Sequence, residues 1–183
     1  MSEMSLFCDG GVIKRNPSKI GGTWAWCQVK NNQVIRSNCG VIRPVDMEMP
    51  SISNNLSELF AAIKALTALN TCYKDIPVVL YTDSKVTMHR LTDSVGFAGI
   101  PNDLRLRTLE LRRLWHPQVI LVGGHPSKKE LETGLRERNG FPVSQWNVWC
   151  DKTCRKLAWE WVTELEASKK RERRSSIPPQ HLA

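Results

Sequence analysis

The chain has 183 residues and 20.8 kDa, with 41% hydrophobic and 24% charged residues, the size of one domain with enough apolar side chains for a core. That composition excludes a disordered, collagen-like or disulfide-scaffold chain, and the longest apolar runs, Val78–Tyr81 and Val119–Val122, fall far short of the roughly 20 residues of a membrane span. The net charge is +8, half of it in residues 168–183, where Lys169, Lys170, Arg171, Arg173 and Arg174 face only Glu172. In chain order, Leu6-Phe7-Cys8 reads as a short buried strand, with Asp9-Gly10-Gly11 as the turn that ends it. Thr23–Val29 alternates large and small side chains as a strand does, and Asn31-Asn32 fits a hairpin turn into a third strand over 33–41. Residues 44–53 form a loop punctuated by Pro44 and Pro50. Apolar residues at 56, 59, 60, 63, 66 and 69 then have the spacing of an amphipathic helix.

Pro77 introduces the strand Val78–Tyr81, a short helix follows to about Leu91, and Leu104–Trp115 is a second helix before the strand Val119–Val122. Residues 123–146 read as a long polar loop, and a final helix runs from Asn147 to about Ala167. Three meander strands followed by strands alternating with helices predict an α/β layer structure with a mixed sheet. One domain over 1–167 is expected, followed by a basic, disordered tail over 168–183. Basic charge favours anionic partners such as nucleic acid, while a solvated tail accounts for the same run equally well. The start Met-Ser-Glu-Met-Ser lacks a basic-then-apolar leader, so a soluble, cytoplasmic protein is expected. Of the cysteines at 8, 27, 39, 72, 150 and 154, only Cys150 and Cys154 are close, and no histidine or second pair completes a zinc set. Reduced cysteines acting as small hydrophobes are expected.

Four carboxylates stand where core elements meet loops: Asp9, Glu58, Asp83 and Asp151. Converged, they would repel strongly, and hard divalent cations such as Mg²⁺ or Mn²⁺, which take oxygen ligands, would relieve that. Each has a local explanation as well. Glu58 follows Asn55 in an Asn-x-x-Glu capping pattern, Asp151 suits the first turn of a helix, Asp9 suits a turn, and Asp83-Ser84 suits a helix start. Spacing does not choose between the two.

The segments Phe7-Cys8-Asp9-Gly10-Gly11 with Arg15-Asn16-Pro17, then Ser53–Ala62, then Tyr81-Thr82-Asp83-Ser84, then Gly124-His125 and Asn147–Asp151 with Leu157-Ala158, resemble the motifs of the type 1 ribonuclease H family in family order. The resemblance spans residues 5 to about 165. It implies a ribonuclease H-like fold, a five-stranded mixed sheet flanked by helices, and metal-dependent hydrolysis of the RNA strand of RNA/DNA hybrids that leaves 3′-hydroxyl and 5′-phosphate ends. It further implies that Asp9, Glu58, Asp83 and Asp151 hold two Mg²⁺ ions, with Mn²⁺ as a substitute, that His125 assists proton transfer or product release, and that the chain acts as a monomer. For substrate it implies Gly10, Gly11, Asn16, Asn54, Asn55 and Ser84 beside the hybrid's minor groove and Ser53 at a DNA phosphate. Amides and hydroxyls suit the 2′-hydroxyl, which is both donor and acceptor.

Two features depart from the family pattern. The span from Asp83 to His125 leaves no room for the extra basic helix and loop with which many members grip the hybrid. The span from His125 to Asp151 is longer than usual, and its loop holds Lys128, Lys129, Arg136 and Arg138 with Phe141 and Trp146. That loop either replaces the missing grip or is a surface insertion whose bases are balanced by Glu130, Glu132 and Glu137. Two other functions remain open at this point: a nuclease of the same fold acting on another duplex, and a nucleic-acid-binding module without catalysis.

Overall fold

In the computed structural model, which describes residues 3–70, 75–93 and 95–175, strands β1 (Met4–Val12), β2 (Gly22–Lys30) and β3 (Gln33–Ile42) form an antiparallel meander. Asn31 and Asn32 both take positive φ (50° and 58°), the left-handed turn that lets two strands twist back on each other. Helix α1 (Asn54–Thr67) leads to β4 (Val78–Thr82), α2 (Lys85–Thr92) and α3 (Asn102–Trp115) lead to β5 (Gln118–Leu121), and α5 (Gln145–Ser175) closes the described chain. The sheet order is β3-β2-β1-β4-β5, with β4 parallel to both β1 and β5. It is the expected mixed α/β architecture.

Period-two alternation divides β1 between two cores. Leu6 and Cys8 face the larger one, built with Leu56, Leu59 and Leu66 of α1 and with Leu111 and Trp115 of α3. Phe7 faces the smaller one, with Ala25, Cys27, Cys150 and Cys154. Each fully buried leucine contributes about 1.5–3 kcal/mol, so α1 is held by its apolar stripe. Ala61, Ala62 and Ala65 on that stripe let it approach the sheet closely. Cys150 and Cys154, one helical turn apart, lie on the inner face of α5, with their thiols 3.6 Å and 3.4 Å from the carbonyls of Phe7 and Asp9. Both are free thiols, as are Cys8, Cys27 and Cys39, and Cys72 lies outside the described residues.

Several local expectations change. Asp9-Gly10-Gly11 is not a turn: β1 runs through it to Val12, with Gly10 paired to Trp24. The glycine is required by packing, because a Cβ on Gly10 would lie 2.2 Å from the backbone carbon of Ser57 at the start of α1. The helix cap of α1 is Ser53, not Asn55, so Glu58 lies beyond the first turn and caps nothing. Asp151 likewise sits in the second turn of α5, which begins at Gln145. Residues 123–146 are not all loop. They hold α4 (Lys128–Glu132), closed by a Ser127/Glu130 capping box, and the small hairpin β6 (Glu137–Arg138) and β7 (Phe141–Pro142). Helix α5 continues past Ala167 to Ser175, so the first part of the expected tail is helical, and residues 176–183 lie outside the described residues. Among the described residues no helix is long and apolar enough to cross a membrane.

Candidate active site

The site exists because two strands end at different levels. Parallel pairing of β1 with β4 stops at Phe7 and Tyr81, and β4 ends at Thr82 while β1 runs on. The gap exposes Asp9 in mid-strand to Asp83, the first residue after β4. Helix α1, brought close by Gly10, adds Glu58, and α5 adds Asp151 from the other face. Oxygens of Asp9, Glu58 and Asp83 lie within 4.8 Å of one another, and so do ligand atoms of Asp9, Asp151 and His125. Asp9 belongs to both sets. The structure therefore brings together all four sequence-selected carboxylates and His125.

This much negative charge is costly where it sits. Asp9 is 1% exposed and Glu58 4%, and two unit charges 4.8 Å apart repel by about 3–4 kcal/mol at an effective dielectric of about 20. Burial first, and then the charge of Asp83, push the Asp9 carboxyl from its ordinary 3.8 up to about 8. Burial also raises Glu58 well above the usual range, reinforced by Asp9 and Asp83, and raises Asp83. Asp9 Oδ1 accepts the Gly10 N–H at 2.8 Å, but Glu58 Oε2 and Asp83 Oδ1 are buried with no hydrogen-bond partner. Buried unpaired carboxylate oxygens are rare because each forfeits its hydration. A convergent set of hard oxygens, two of them orphaned, fits a divalent cation.

On the open side His125 Nδ1 lies 2.9 Å from Asp151 Oδ1, the distance of a hydrogen bond donated to the carboxylate, and Nε2 lies 3.6 Å from Asp83 Oδ2. The Asp151 hydrogen bond raises the imidazole to about 9 against the opposing effect of its partial burial, with Asp9 and Asp83 adding to the rise. For Asp151, burial alone would raise the carboxyl, but the hydrogen bond and charge of His125 together with Arg155 bring it below its ordinary value. His125 has φ 47°, a left-handed backbone unusual for a side chain with a Cβ. Gly124 before it has no room for a Cβ, which would lie 2.0 Å from Asp83 Oδ2.

Two open clefts meet at the acidic cluster, and Asn54 and His125 line both. One contains Asp9, Gly10, Gly11 and Asp151; the other contains Asn55, Glu58, Asp83 and Ser84. Asn16 Oδ1 accepts the Asn54 N–H at 3.0 Å, which ties the β1–β2 connection to the start of α1. Asn54 Nδ2 reaches Glu58 Oε1 at 3.5 Å, a long contact. Ser53 and Ser84 are the N-caps of α1 and α2, each accepting a backbone N–H through its hydroxyl. Of the residues selected as substrate readers, Gly10, Gly11, Asn54, Asn55 and Ser84 line the clefts, whereas Asn16 and Ser53 line neither.

A family model described as RNase H matches residues 1–163. The chain belongs to the RNase H family. Among solved structures it resembles LC11-RNase H1, isolated from compost by a metagenomic approach, with a TM-score of 0.57 at 13% identity over 88% of this chain and 99% of that one. The N-terminal RNase H domain of a Mycobacterium tuberculosis protein gives 0.56 at 12% identity, covering 90% of this chain and 99% of that chain. The RNase H domain of prototype foamy virus gives 0.54 at 17% identity over 87% and 96%. At such identities these likenesses carry the fold. No curated protein sequence matches the chain. Membership makes the protein a ribonuclease H enzyme.

Two arginines of this RNase H stand at the site: Arg155, not named from the sequence, and Arg138, named there only as one of the loop bases. Arg155 donates through Nε to Asp151 Oδ1 at 2.9 Å and brings Nη2 to 3.4 Å from His125 Nδ1. Asp151-x-x-x-Arg155 is an i,i+4 pair, so the signal was in the sequence. Arg138, on β6, donates to the carbonyl of His125 and to Glu130 Oε2. Only the tertiary fold reveals that one. The insertion is pinned to the site further by Gly123 N–H donating to the Pro142 carbonyl at 2.9 Å and by Lys85 Nζ standing 5.6 Å from the Phe141 ring. Of its bases, Lys128 pairs with Glu132 and Arg138 with Glu130, so part of its charge is spent internally.

Proposed function

We propose that this RNase H hydrolyses the RNA strand of RNA/DNA hybrids, leaving 3′-hydroxyl and 5′-phosphate ends, and acts as a cytoplasmic monomer. One observation carries the reading: four carboxylates from four different elements converge, with two of their buried oxygens unpartnered. Asp9, Glu58, Asp83 and Asp151 would hold two Mg²⁺ ions, for which Mn²⁺ can substitute. Ions held there would neutralise the carboxylates and would supply Lewis-acid polarisation of the scissile phosphate.

The side chains divide the remaining work. Asn16, Asn54 and Asn55 orient the minor groove across the two clefts, with Gly10 and Gly11 beside them. Their amides can donate to and accept from a 2′-hydroxyl, which a DNA strand lacks. Ser84 contributes beside them, and Ser53 faces the DNA strand. Water attacks phosphorus, the bond from phosphorus to the 3′ oxygen breaks, and that oxygen takes up a proton. His125 would handle this proton, a reading supported by Nδ1 lying 2.9 Å from Asp151 Oδ1 and Nε2 3.6 Å from Asp83 Oδ2. LC11-RNase H1 has been seen in complex with an RNA/DNA hybrid, which supports the same substrate class here. The test compares labelled RNA/DNA hybrid, double-stranded RNA, double-stranded DNA and a hybrid bearing isolated ribonucleotides, each with Mg²⁺ and with chelator. Cutting confined to the RNA of the full hybrid, and only with the cation, is expected. Equal cutting of double-stranded RNA or DNA overturns the reading.

A further inference from the structure

Helix α5 does more than deliver Asp151. Arg155 and Ala158 of α5 line the cleft, and one stretch further on Glu166 Oε1 lies 3.6 Å from Lys14 Nζ in the β1–β2 connection. That connection also carries Asn16, tied to Asn54 at the cleft edge. Beyond this pair the helix leaves the body: residues 167–173 are all exposed, yet the helix continues to Ser175. Residues 168–175 of the helix hold Lys169, Lys170, Arg171, Arg173 and Arg174 with the single acid Glu172.

A helix C-terminus favours cations through its macrodipole, but that accounts for one or two in the last turn, not five. In helical form Lys169 and Arg173 are like-charged i,i+4 neighbours, an arrangement that destabilises a helix. Capping and folding therefore do not call for this charge; a polyanion outside the fold does. We infer that the basic end of α5 is a second contact for the sugar–phosphate backbone of the bound duplex, engaged once the duplex extends past the cleft on the Asn16 side. This rests on the reading of the cleft as a hybrid-binding cleft.

The helix sets the reach. From Asp151 the extension spans about 27 Å to Lys169 and about 33 Å to Arg173 at 1.5 Å per residue, or at most about 8–10 base pairs at 3.4 Å each. An anionic lipid surface is the less suited partner. Residues 168–175 contain no apolar side chain to insert, and exposed Trp159 lies about 15 Å back along the helix.

The test uses the full chain and the variant K169Q/K170Q/R171Q/R173Q, since glutamine keeps helix propensity while removing charge. Two hybrids are cleaved: one of about 8 base pairs centred on the cleaved bond, and one of about 30, longer than the helix can span. On the long hybrid the variant is expected to show KM raised about tenfold at unchanged kcat, with its salt dependence shallower by about 0.7–0.9 per lost phosphate contact. On the short hybrid the two proteins should match. Equal KM and equal salt slope on the long hybrid overturn the inference, and so does a loss of the same size on both lengths. Unchanged duplex values with lost binding to phosphatidylserine/phosphatidylcholine vesicles also overturn it and assign the segment to lipid. Should the wild type cut neither hybrid, the hybrid-nuclease reading fails by itself. Fluorescence anisotropy on the long hybrid then still decides the inference: tighter binding by wild type than by the variant upholds it, and equal binding refutes it.

Discussion

Replacing Asp9 by asparagine removes one ionisable group from the most crowded point of the fold, the residue common to both clusters. In metal-free buffer at pH 7 the wild-type chain carries a carboxyl whose folded value is about 8 against an ordinary 3.8. The sign follows directly: the unfolded chain ionises this group and the folded chain holds it neutral, so folding at pH 7 forgoes a favourable ionisation. At 1.36 kcal/mol per pH unit the upper limit of that cost is about 4 kcal/mol. The substituted amide has no such cost, keeps an acceptor for the Gly10 N–H, and brings a donor toward the orphaned oxygens of Glu58 and Asp83. Metal-free Asp9→Asn should therefore be more stable by about 1–4 kcal/mol, a melting temperature higher by several degrees at roughly 2–4 °C per kcal/mol. Mg²⁺ should raise the wild-type melting temperature by mass action and raise that of the variant less. Calorimetric melts of both proteins in chelator and in Mg²⁺, at constant ionic strength, measure both shifts. A destabilised variant that keeps the full Mg²⁺ shift would refute the reasoning, because it would mean Asp9 has a local structural role and shares no cation with its neighbours.

Asp83→Asn should lower hybrid cleavage below a tenth of the wild-type rate, more than about 1.4 kcal/mol of barrier, with circular dichroism unchanged; single-turnover assays check it. His125→Ala should retain measurable cleavage but lose about 10²-fold, the scale of a proton-transfer group, and a rate equal to wild type across pH 6–9 would remove that role. Metal-free stability should fall from pH 5 to 8: the raised carboxyls of Asp9, Glu58 and Asp83 keep protons that the unfolded chain releases, and the raised His125 loses its contribution as pH climbs from 6.5 toward about 9. Melts in chelator across that window check the slope, and a rising melting temperature would contradict it. Gly10→Ala should cost about 1–3 kcal/mol through the clash with the Ser57 backbone, read as a lowered denaturation midpoint, and an unchanged midpoint would show that α1 does not approach as described.

Elements governed by their own pattern were legible in the sequence. The run Val78–Tyr81 is a buried strand and the stripe from Leu56 to Leu66 is a helix face, because burial on one side imposes a period that survives without tertiary context. Gly10-Gly11 misled, since paired glycines usually mark a turn, whereas Gly10 answers to a helix arriving from far along the chain. Ser127 and Glu130 did announce a capped helix inside the expected loop, but the turn it starts is too short to show an apolar face. Convergence of the carboxylates was not derivable from their spacing, because each also suited a cap or a turn. The family resemblance supplied that expectation, and in the structure the four side chains lie together. The contact of Arg138 with the site was not legible for the same reason: its partner, the His125 carbonyl, is met only when the hairpin folds back.

The distribution of the four carboxylates over β1, α1, the end of β4 and α5 has a consequence for when the acidic cluster can be assembled. Asp151 comes from the last of these elements in chain order, whereas Asp9 comes from the first. A chain emerging from synthesis up to α4 already holds Asp9, Glu58 and Asp83 but has neither Asp151 nor its hold on His125. Until α5 is made, only the residues of the Asp9, Glu58 and Asp83 set are present, and the set that needs Asp151 is incomplete. Docking of α5 completes the second set and buries Cys150 and Cys154 against β1 in the same step.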